Sequence, residues 1–337
     1  MFAEALASIL RDHCTPADVR AIEAGGSHAA LLATISDAGF LELLAAEEEG
    51  GAGASLSDFH PVLALCGAHA VPLPLAQTFG ARLLAPREAL PDGLITFAPG
   101  LARDADGALH AAPVPCALVA AHVIAADGDA LRLLPVAGAR RVPTGVHGSL
   151  AASLHWPAGA GRVLPSGAAA GLQPLAAALH AGLLAGAMKR VFDMTLAYGN
   201  ERVQFGKSIG KFQAVQHQLS VMAEHVAAGC IAAEAAFQGA ARIPADGACA
   251  MAKARTSEAA QLVASIAHAL HGAIGITEEY DLQLYTRRLH EWRMAHGSET
   301  HWNRVLGRLL IDSPHTLAAD FVRAIGTAGT TPTSTSP

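Results

Sequence analysis

The sequence has few charged residues, few aromatic residues and few cysteines. Of its 337 residues, 15% are charged, 5% are aromatic and five are cysteine. The cysteines are scattered, odd in number and without a CxxC pair, which argues against a disulfide framework and against a zinc site. The net charge is -6 and basic residues are not clustered, which disfavours nucleic acid or an anionic membrane surface as a partner. We therefore expect a globular cytoplasmic protein, without a metal, that binds small molecules or other proteins.

The chain also lacks the features of a secretory signal. Its first residues, MFAEALASILRDHC, carry Glu4 early and have no basic start, long apolar stretch or small-residue cleavage site. Residues 167–188 are uncharged over about the length of a bilayer span. They are mostly Ala and Gly, interrupted by Gln173, Pro174 and His180, and alanine contributes little transfer free energy. We interpret this segment as a core helix of a soluble protein and predict no membrane span.

Hydrophobic periodicity divides the chain into regions of different character. Helical periodicity predicts an N-terminal helical domain over residues 1–90. Short apolar runs separated by Asp-Gly, Gly and Pro predict a short, degenerate β domain over 91–166. Residues 167–312 return to helical periodicity, which predicts long bundle helices, and the polar tail over 313–337 is predicted to be largely disordered at its end. The predicted fold class is therefore α+β, with several domains.

Some individual helices are visible as apolar stripes. In the N-terminal region we predict helices at 29–44 and at 57–68. In the bundle, apolar residues recur at spacings of three and four along one helix, at Phe212, Val215, Leu219, Met222, Val226 and Cys230. A second stripe, which we place on the last long helix, consists of Tyr285, Leu289, Trp292 and His296.

Three sequence motifs contain Gly-rich turns. The first is AEEEGGAGASLSDF, at 46–59. The second is NERVQFGK, at 200–207, which is followed by IGKFQAVQH at 209–217. The third is HGAIGITEEY, at 271–280, which is followed by LYTRR at 284–288.

The second motif predicts a rigid corner between two helices. One helix is expected to end near residues 198–200 and the next to start near Lys211, so that Arg202 points outward. A guanidinium held on such a corner suits bidentate contact with a pyrophosphate, and Phe205 offers an apolar face beside it. The alternative is an ion pair between Arg202 and Glu201 or another carboxylate.

The chain resembles the flavin-dependent acyl-CoA dehydrogenase family in these three motifs and in its order of regions, which is a helical start, a β middle and a helical end. The resemblance implies an N-terminal helical domain, a small middle β domain and a C-terminal four-helix bundle. It also implies an FAD cofactor, an acyl-CoA substrate that is dehydrogenated at its α and β carbons, and an electron-transfer flavoprotein or similar acceptor. In the family, the corner of one subunit reaches across a dimer interface to the FAD of the other. The residues that the resemblance thereby assigns to a neighbour's FAD are Arg202, Gln204, Phe205 and Gln213.

The third motif would bring backbone close to the same cofactor. Gly272 and Gly275 permit a close approach because no Cβ stands in the way, and an ordinary helix C-cap is the alternative. This sequence departs from the family here. Ala269 stands where a flavin-contacting Gln is usual, and Ala273 replaces the second Gly of the motif.

The catalytic base of the family has no counterpart in this sequence. Removal of the α proton needs a carboxylate, usually a Glu before a Gly on the last long helix, and the corresponding residues here are His296 and Gly297. A second position that the family uses falls near Ala176. His296 is a candidate base because an imidazole has an unperturbed pKa of about 6.5, although its apolar stripe favours a core position. Glu299 and His180 are weaker candidates.

The β region also lacks the Trp-Ile-Thr or Trp-Ile-Ser strand that the family places against the flavin ring, and Trp156 does not match it.

The corner for a neighbour's cofactor is thus retained, whereas the base and the ring-binding strand are not. This asymmetry indicates the supporting chain of a heteromer, because the family includes two-plus-two heterotetramers, notably for bulky CoA thioesters of sterol side chains and rings. The resemblance thus implies a role in fatty acid or steroid catabolism. A homologous catalytic subunit is the predicted partner. The alternatives are a self-sufficient homo-oligomeric dehydrogenase with a displaced base, and a structural relative without flavin or activity.

Overall fold

The computed structural model describes residues 2–239, 241–315 and 317–327, and its first part is helical. The helices of this part are α1 (Phe2–His13), α2 (Pro16–Glu23), α3 (Ala29–Asp37), α4 (Leu56–Ala68) and α5 (Leu75–Leu84). Side-chain capping fixes where α2 begins. The Asp18 carboxylate accepts the Thr15 N–H at 2.8 Å and the Thr15 hydroxyl accepts the Asp18 N–H, which closes a capping box.

The predicted helix at 57–68 is confirmed as α4, whereas the helix predicted at 29–44 is wrong in its second half. Helix α3 ends at Asp37, and Gly39 follows with a φ of 78°. A left-handed residue turns the chain away from the helix axis and so ends the helix. The chain then forms a short 3-10 turn, Phe40–Glu42, which buries Phe40.

The middle part of the chain forms two sheets of four strands each. The strands are β1 (Ile95–Ala98), β2 (Ala102–Arg103), β3 (Leu109–Val114), β4 (His122–Asp127), β5 (Ala130–Pro135), β6 (Arg140–Pro143), β7 (Ala152–Trp156) and β8 (Arg162–Ala168). The sheet orders are β1-β4-β5-β8 and β2-β3-β7-β6; β1 and β4 are parallel and the other pairs antiparallel. Residues of both sheets, such as Val123 and Leu154, share one core. Trp156 belongs to that core and donates through Nε1 to the Pro135 carbonyl at 2.7 Å, which explains its presence without a cofactor.

The last part of the chain is a helical bundle. Its helices are α6 (Leu172–Glu201), α7 (Gln213–Ala235), α8 (Asp246–His271) and α9 (Leu282–Met294), followed by α10 (Glu299–Ile311) and α11 (Ala318–Thr327). In the predicted stripe of α7, Leu219, Met222 and Val226 are buried. Helix α11 lies within the segment predicted as a tail, and residues 328–337 lie outside the described residues. The architecture confirms the α+β fold of helical start, β middle and helical bundle.

Helix α6 is rich in Ala and Gly because it packs very closely against α4. A Cβ added at Gly186 would lie 1.8 Å from the Ala64 carbonyl oxygen, and one at Gly182 would lie 2.3 Å from the Leu63 side chain. By length and composition, residues Ala169–Glu201 and Asp246–Ile276 could each cross a membrane, and the apolar windows of the two stretches are 83% and 39% buried inside the protein. The burial of α6 agrees with its interpretation as a core helix.

Candidate functional site

The second motif forms a two-stranded hairpin at the end of α6. Two short strands, β9 (Val203–Gln204) and β10 (Lys207–Ser208), pair antiparallel. Phe205 and Gly206 connect them with φ angles of 51° and 79°, and left-handed backbone at both central residues is typical of a type I′ turn. Phe205 is a bulky residue in this strained region, and it is 92% exposed. An exposed aromatic ring held on a strained turn is typical of a contact surface.

Arg202 follows the last residue of α6 and is exposed. Its backbone is fixed, because its N–H donates to the Tyr198 carbonyl at 2.9 Å and its carbonyl accepts from Ile209 at 2.8 Å. Its guanidinium makes no ion pair or hydrogen bond with any residue that the structure describes. The alternative, an ion pair between Arg202 and Glu201, is therefore not formed. Gln204 and Gln213 are also exposed. The corner therefore presents an uncommitted cation and neutral amides to the outside.

The two glycines of the third motif have different surroundings. Gly272 ends α8 with a φ of 65°, and no described atom lies within 4 Å of a Cβ added there. A Cβ at Gly275 would lie 3.0 Å from the His271 side chain and 3.1 Å from Leu282. Gly275 is thus tightly packed within this chain. Gly272 agrees with the alternative of a helix C-cap, and its backbone is also open to an incoming group.

The fold brings both motifs to the same end of the bundle. The rings of Tyr198 in α6 and His271 in α8 stack with centroids 4.4 Å apart, and Tyr280 contacts His271 with centroids 5.3 Å apart. Because Tyr198 carries the backbone contact to Arg202, these three rings join the corner to the Gly272 turn. Sequence reasoning did not single out the three aromatic side chains, although each lies within five residues of a motif glycine or arginine.

His296 lies at the other end of the bundle. It was predicted on the last long helix, but α9 ends at Met294 and His296 follows in a turn with a φ of 56°, so that part of the prediction is wrong. It is nevertheless buried, with its ring centroid 4.9 Å from that of His180. Neither ring nitrogen has a hydrogen-bond partner within the described part of the chain. Burial, followed by the charges of His180 and Lys253, holds the pKa of His296 well below its usual value, which makes it a weak proton acceptor.

The other candidate bases, His180 and Glu299, already form hydrogen bonds within the chain. His180 Nδ1 donates to the Ala176 carbonyl at 2.8 Å, and burial lowers its pKa to about 3. Glu299 accepts from Arg293 Nε at 2.9 Å, and this hydrogen bond is the main reason that the pKa of Glu299 is lowered. Ala176 is buried and offers no side-chain group for proton transfer.

A buried lysine that sequence reasoning missed holds this region together. Lys253, in the first third of α8, is fully buried. Its ammonium donates to Ser257 Oγ at 3.0 Å and to the carbonyls of Trp292 and Arg293 at 2.7 and 2.8 Å. These carbonyls belong to the last turn of α9, so Lys253 caps that helix just before the His296 turn. Burial lowers the pKa of Lys253 to about 7.

The His296 turn forms part of the wall of a cavity between the β region and α9, which we call the interdomain cavity. Its volume is about 550 Å³. Residues from β3, the β6–β7 connection, α9 and the start of α6 line it, including Pro113, Val146, Gln173, His290, Glu291 and His296. Among the described residues that line it, Glu291 is the one acidic side chain, and sequence reasoning missed it. Glu291 accepts from Ser149 Oγ and from Arg288 Nη1, both at 3.0 Å.

The corner and the interdomain cavity are far apart. Gln173, on the cavity wall, lies at the start of α6, and Arg202 follows its end. Helix α6 has 30 residues, which at a rise of 1.5 Å per residue is a length of about 45 Å. The corner therefore cannot act on a group bound in the cavity of the same chain.

Comparisons with known proteins agree with this architecture. The acyl-CoA dehydrogenase C-terminal domain matches residues 174–310. The chain is 32% identical over 304 residues to acyl-CoA dehydrogenase IpdE2 of Mycolicibacterium smegmatis, with 86% of this chain and 91% of that protein covered. It is 33% identical over 297 residues to IpdE2 of Mycobacterium tuberculosis, with 86% and 90% covered.

Among solved structures, the chain is similar to the ChsE4-ChsE5 complex from Mycobacterium tuberculosis, with a TM-score of 0.79, 23% identity and 93% and 97% of the two chains covered. It is also similar to a variant of the Tcur3481-Tcur3483 steroid ACAD, with a TM-score of 0.72, 26% identity and 92% and 97% covered. The helical corner, the open Gly272 turn and the cavity between sheet and bundle thus occur in a chain whose relatives match it over nearly its full length. The chain belongs to the acyl-CoA dehydrogenase family.

Proposed function

We propose that this chain is the supporting subunit of a heteromeric FAD-dependent acyl-CoA dehydrogenase, that is, a chain without a catalytic base that completes the FAD site of a catalytic partner. The observation that carries the proposal is the position of Arg202. Its uncommitted guanidinium is exposed at one end of α6, about 45 Å from the cavity at the other end. A cation that cannot reach its own chain's cavity is available to a second subunit.

The residues of the corner fit one part of FAD. Arg202 suits a diphosphate, because its planar group donates two parallel hydrogen bonds. The amides of Gln204 and Gln213 can donate to or accept from neutral groups, and the Phe205 ring offers an apolar face. Gly272 leaves room for close approach of backbone to the cofactor. When bound, FAD supplies the acceptor for the hydride from the β carbon of the substrate.

The residues of the interdomain cavity do not complete a catalytic site. Glu291 is held by Ser149 and Arg288, and His296 is a neutral, buried imidazole. The carboxylate that removes the α proton would therefore come from the partner. Two relatives in the comparisons, ChsE4-ChsE5 and Tcur3481-Tcur3483, carry paired names, which supports a homologous dehydrogenase subunit as partner.

The remaining parts of the proposal follow from the family. The substrate is an acyl-CoA of the fatty acid or steroid type, as the steroid ACAD relative suggests. Electrons leave the flavin to an electron-transfer flavoprotein or a similar acceptor. We place the complex in the cytoplasm.

The test is a substitution in the co-expressed complex. Arg202→Ala removes the charged donor at the diphosphate, and a hydrogen bond to a charged group contributes about 1.5–3 kcal/mol, so FAD affinity should fall roughly tenfold to a hundredfold while the two chains still co-purify. Arg304→Ala, at an exposed arginine of α10, is the matched control and should leave FAD bound. Unchanged FAD affinity in the Arg202 variant would reject the proposal and favour the structural relative without flavin.

A self-sufficient dehydrogenase is a second candidate, because Glu291 places one carboxylate on the cavity wall. In that case the chain purified alone is yellow and oxidises an acyl-CoA, and Glu291→Gln abolishes the activity. The hydrogen bonds that already occupy both carboxylate oxygens favour a structural role. A colourless and inactive chain would remove this candidate.

A further inference from the structure

The rings of Tyr198, His271 and Tyr280 contact each other, and we call them the aromatic stack. The Tyr198 and His271 ring planes differ by 24°, with centroids 4.4 Å apart. Tyr280 completes the stack, with its centroid 5.3 Å from that of His271 and 6.2 Å from that of Tyr198. Aromatic pairs attract each other at centroid distances of roughly 4.5–7 Å. His271 is buried, and burial lowers its pKa, so its ring enters the stack as a neutral imidazole.

Tyr198 connects the stack to Arg202. Its carbonyl accepts the Arg202 N–H at 2.9 Å. The two residues are four positions apart, so their side chains leave α6 on about the same side. The hairpin packs on the same helix end, because a Cβ added at Gly210 would lie 3.0 Å from the Gly199 carbonyl oxygen. A displacement of Tyr198 would therefore displace Arg202 and the hairpin with it.

His271 and Tyr280 connect the stack to the Gly272 turn. His271 directly precedes Gly272, and its Nδ1 donates to the Ala267 carbonyl at 2.8 Å, which fixes the ring to α8. From Gly272 the chain forms a 3-10 turn and then reaches Tyr280, whose ring contacts that of His271. The two rings thus close the base of the turn. Tyr198 contacts the same base, since its hydroxyl donates to the His271 carbonyl at 3.5 Å.

The Arg202 guanidinium and the Gly272 backbone belong to different elements, and both have open surroundings. Arg202 is exposed, and no described atom lies within 4 Å of a Cβ added at Gly272. Groups that bind one ligand must be held within about 0.5 Å of their productive positions. The aromatic stack joins the two elements that carry these groups, so it can fix the distance between them.

We propose that the aromatic stack is a positioning element for FAD, which fixes Arg202 relative to the Gly272 backbone so that both meet one bound cofactor. Tyr198, His271 and Tyr280 act through these two groups and need not touch the cofactor. The inference rests on the proposed function, because it concerns the same FAD. It goes beyond that function by giving a role to three side chains that are not part of the binding surface itself.

The first experiment titrates FAD into the flavin-free complex with the catalytic partner and follows flavin fluorescence. Tyr198→Leu removes one ring of the stack, and FAD affinity should fall roughly threefold to tenfold, which corresponds to the loss of an aromatic contact. Tyr198→Phe keeps the ring and loses only a long hydrogen bond, so it should bind FAD within about twofold of the wild type. Phe192→Leu is the matched control. This partly buried ring of α6 lies ten residues, or about 15 Å, before Arg202, and its loss should leave FAD affinity unchanged.

The double variant Tyr198→Leu/Arg202→Ala separates positioning from a general effect on the fold. A ring that acts through Arg202 has no guanidinium left to position in this variant. It should therefore bind FAD within about twofold of Arg202→Ala alone. Independent losses would multiply, so a double variant that binds FAD roughly threefold to tenfold more weakly than Arg202→Ala would overturn the proposal.

A second experiment tests the stack without FAD and without a partner. Trypsin cleaves after Arg202 when the corner opens locally, so the rate of cleavage there in the full chain measures how firmly the corner is held. Tyr198→Leu should raise this rate at least about threefold, whereas Tyr198→Phe and Phe192→Leu should not. A Tyr198→Leu chain that is cleaved at the wild-type rate would show that the stack does not hold the corner, and the proposal would fail.

Tyr280→Leu takes the place of Tyr198→Leu in every arm if that variant does not fold, because Tyr280 lies in a turn outside the bundle helices. Wild-type FAD affinity in the Leu variant, or an equal loss in Phe192→Leu, would also overturn the proposal. Failure of the proposed function is read separately. In that case Arg202→Ala itself retains FAD, whereas failure of the positioning role leaves the loss in Arg202→Ala intact.

Discussion

Lys253→Met tests the role of the buried amino group of Lys253 in fixing the turn that contains His296. The substitution keeps an unbranched side chain of similar length but leaves the Trp292 and Arg293 carbonyls without their donor. An unsatisfied buried acceptor costs about 1–3 kcal/mol, and burial of the methionine offsets part of this loss. We expect a net loss of roughly 2–4 kcal/mol at pH 8. At about 2 °C per kcal/mol for a chain of this size, Tm falls by roughly 4–8 °C in calorimetry.

The same variant should change how stability depends on pH. Burial lowers the pKa of Lys253 from 10.5 to about 7, so between these values the unfolded chain binds a proton that the folded chain does not. This residue therefore makes the folded chain more stable as the pH rises through that window, by about 1.4 kcal/mol per pH unit. The Tm difference between wild type and Lys253→Met should be larger at pH 9 than at pH 7.

Lys189→Met, at a lysine that is 66% exposed on α6, is the control and should change Tm little at either pH. A Lys253 variant as stable as the wild type, or a Tm difference that does not vary with pH, would refute the reasoning.

Two further substitutions test packing and titration. Gly186→Ala should destabilise the chain by about 1–3 kcal/mol or more, because its Cβ would lie 1.8 Å from the Ala64 carbonyl oxygen. Gly307→Ala is the control: no described atom lies within 4 Å of its Cβ, so the substitution should stabilise α10 by up to about 1 kcal/mol. The two variants should therefore shift Tm in opposite directions. His296 stays neutral in the fold, so it destabilises the folded chain as the pH falls below 6.5, by about 1.4 kcal/mol per pH unit. His296→Leu should make Tm less sensitive to pH between 6.5 and 5, and an unchanged slope would contradict the burial of that ring.

The parts of the fold that depend on local patterns could be predicted from the sequence. The corner is one example, because a helix end, two turn residues and a second helix start follow each other within a few residues. The stripe of α7 is another, since Leu219, Met222 and Val226 reveal the buried face by their spacing alone. The close packing of α6 on α4 is implied by the Ala and Gly content of 167–188, although its partner helix is not.

The features that depend on tertiary contacts could not be predicted. Nothing near Lys253 in the sequence indicates that its ammonium caps α9, because the two carbonyls lie 39 and 40 residues away. His296 fits the periodicity of α9, but the helix ends at Met294. The His296 ring is buried because the left-handed turn that follows the helix directs it into the protein. Glu291 was missed for a related reason, since its cavity exists only where the β region meets the bundle.

The flavin content of the purified proteins tests most directly whether Arg202 serves another subunit. The chain purified alone, and the chain co-purified with a catalytic partner, are each denatured, and the released FAD is measured against protein concentration. We predict no FAD with the chain alone and one FAD for each pair of chains in the complex. One FAD for each copy of this chain in the absence of any partner would contradict it.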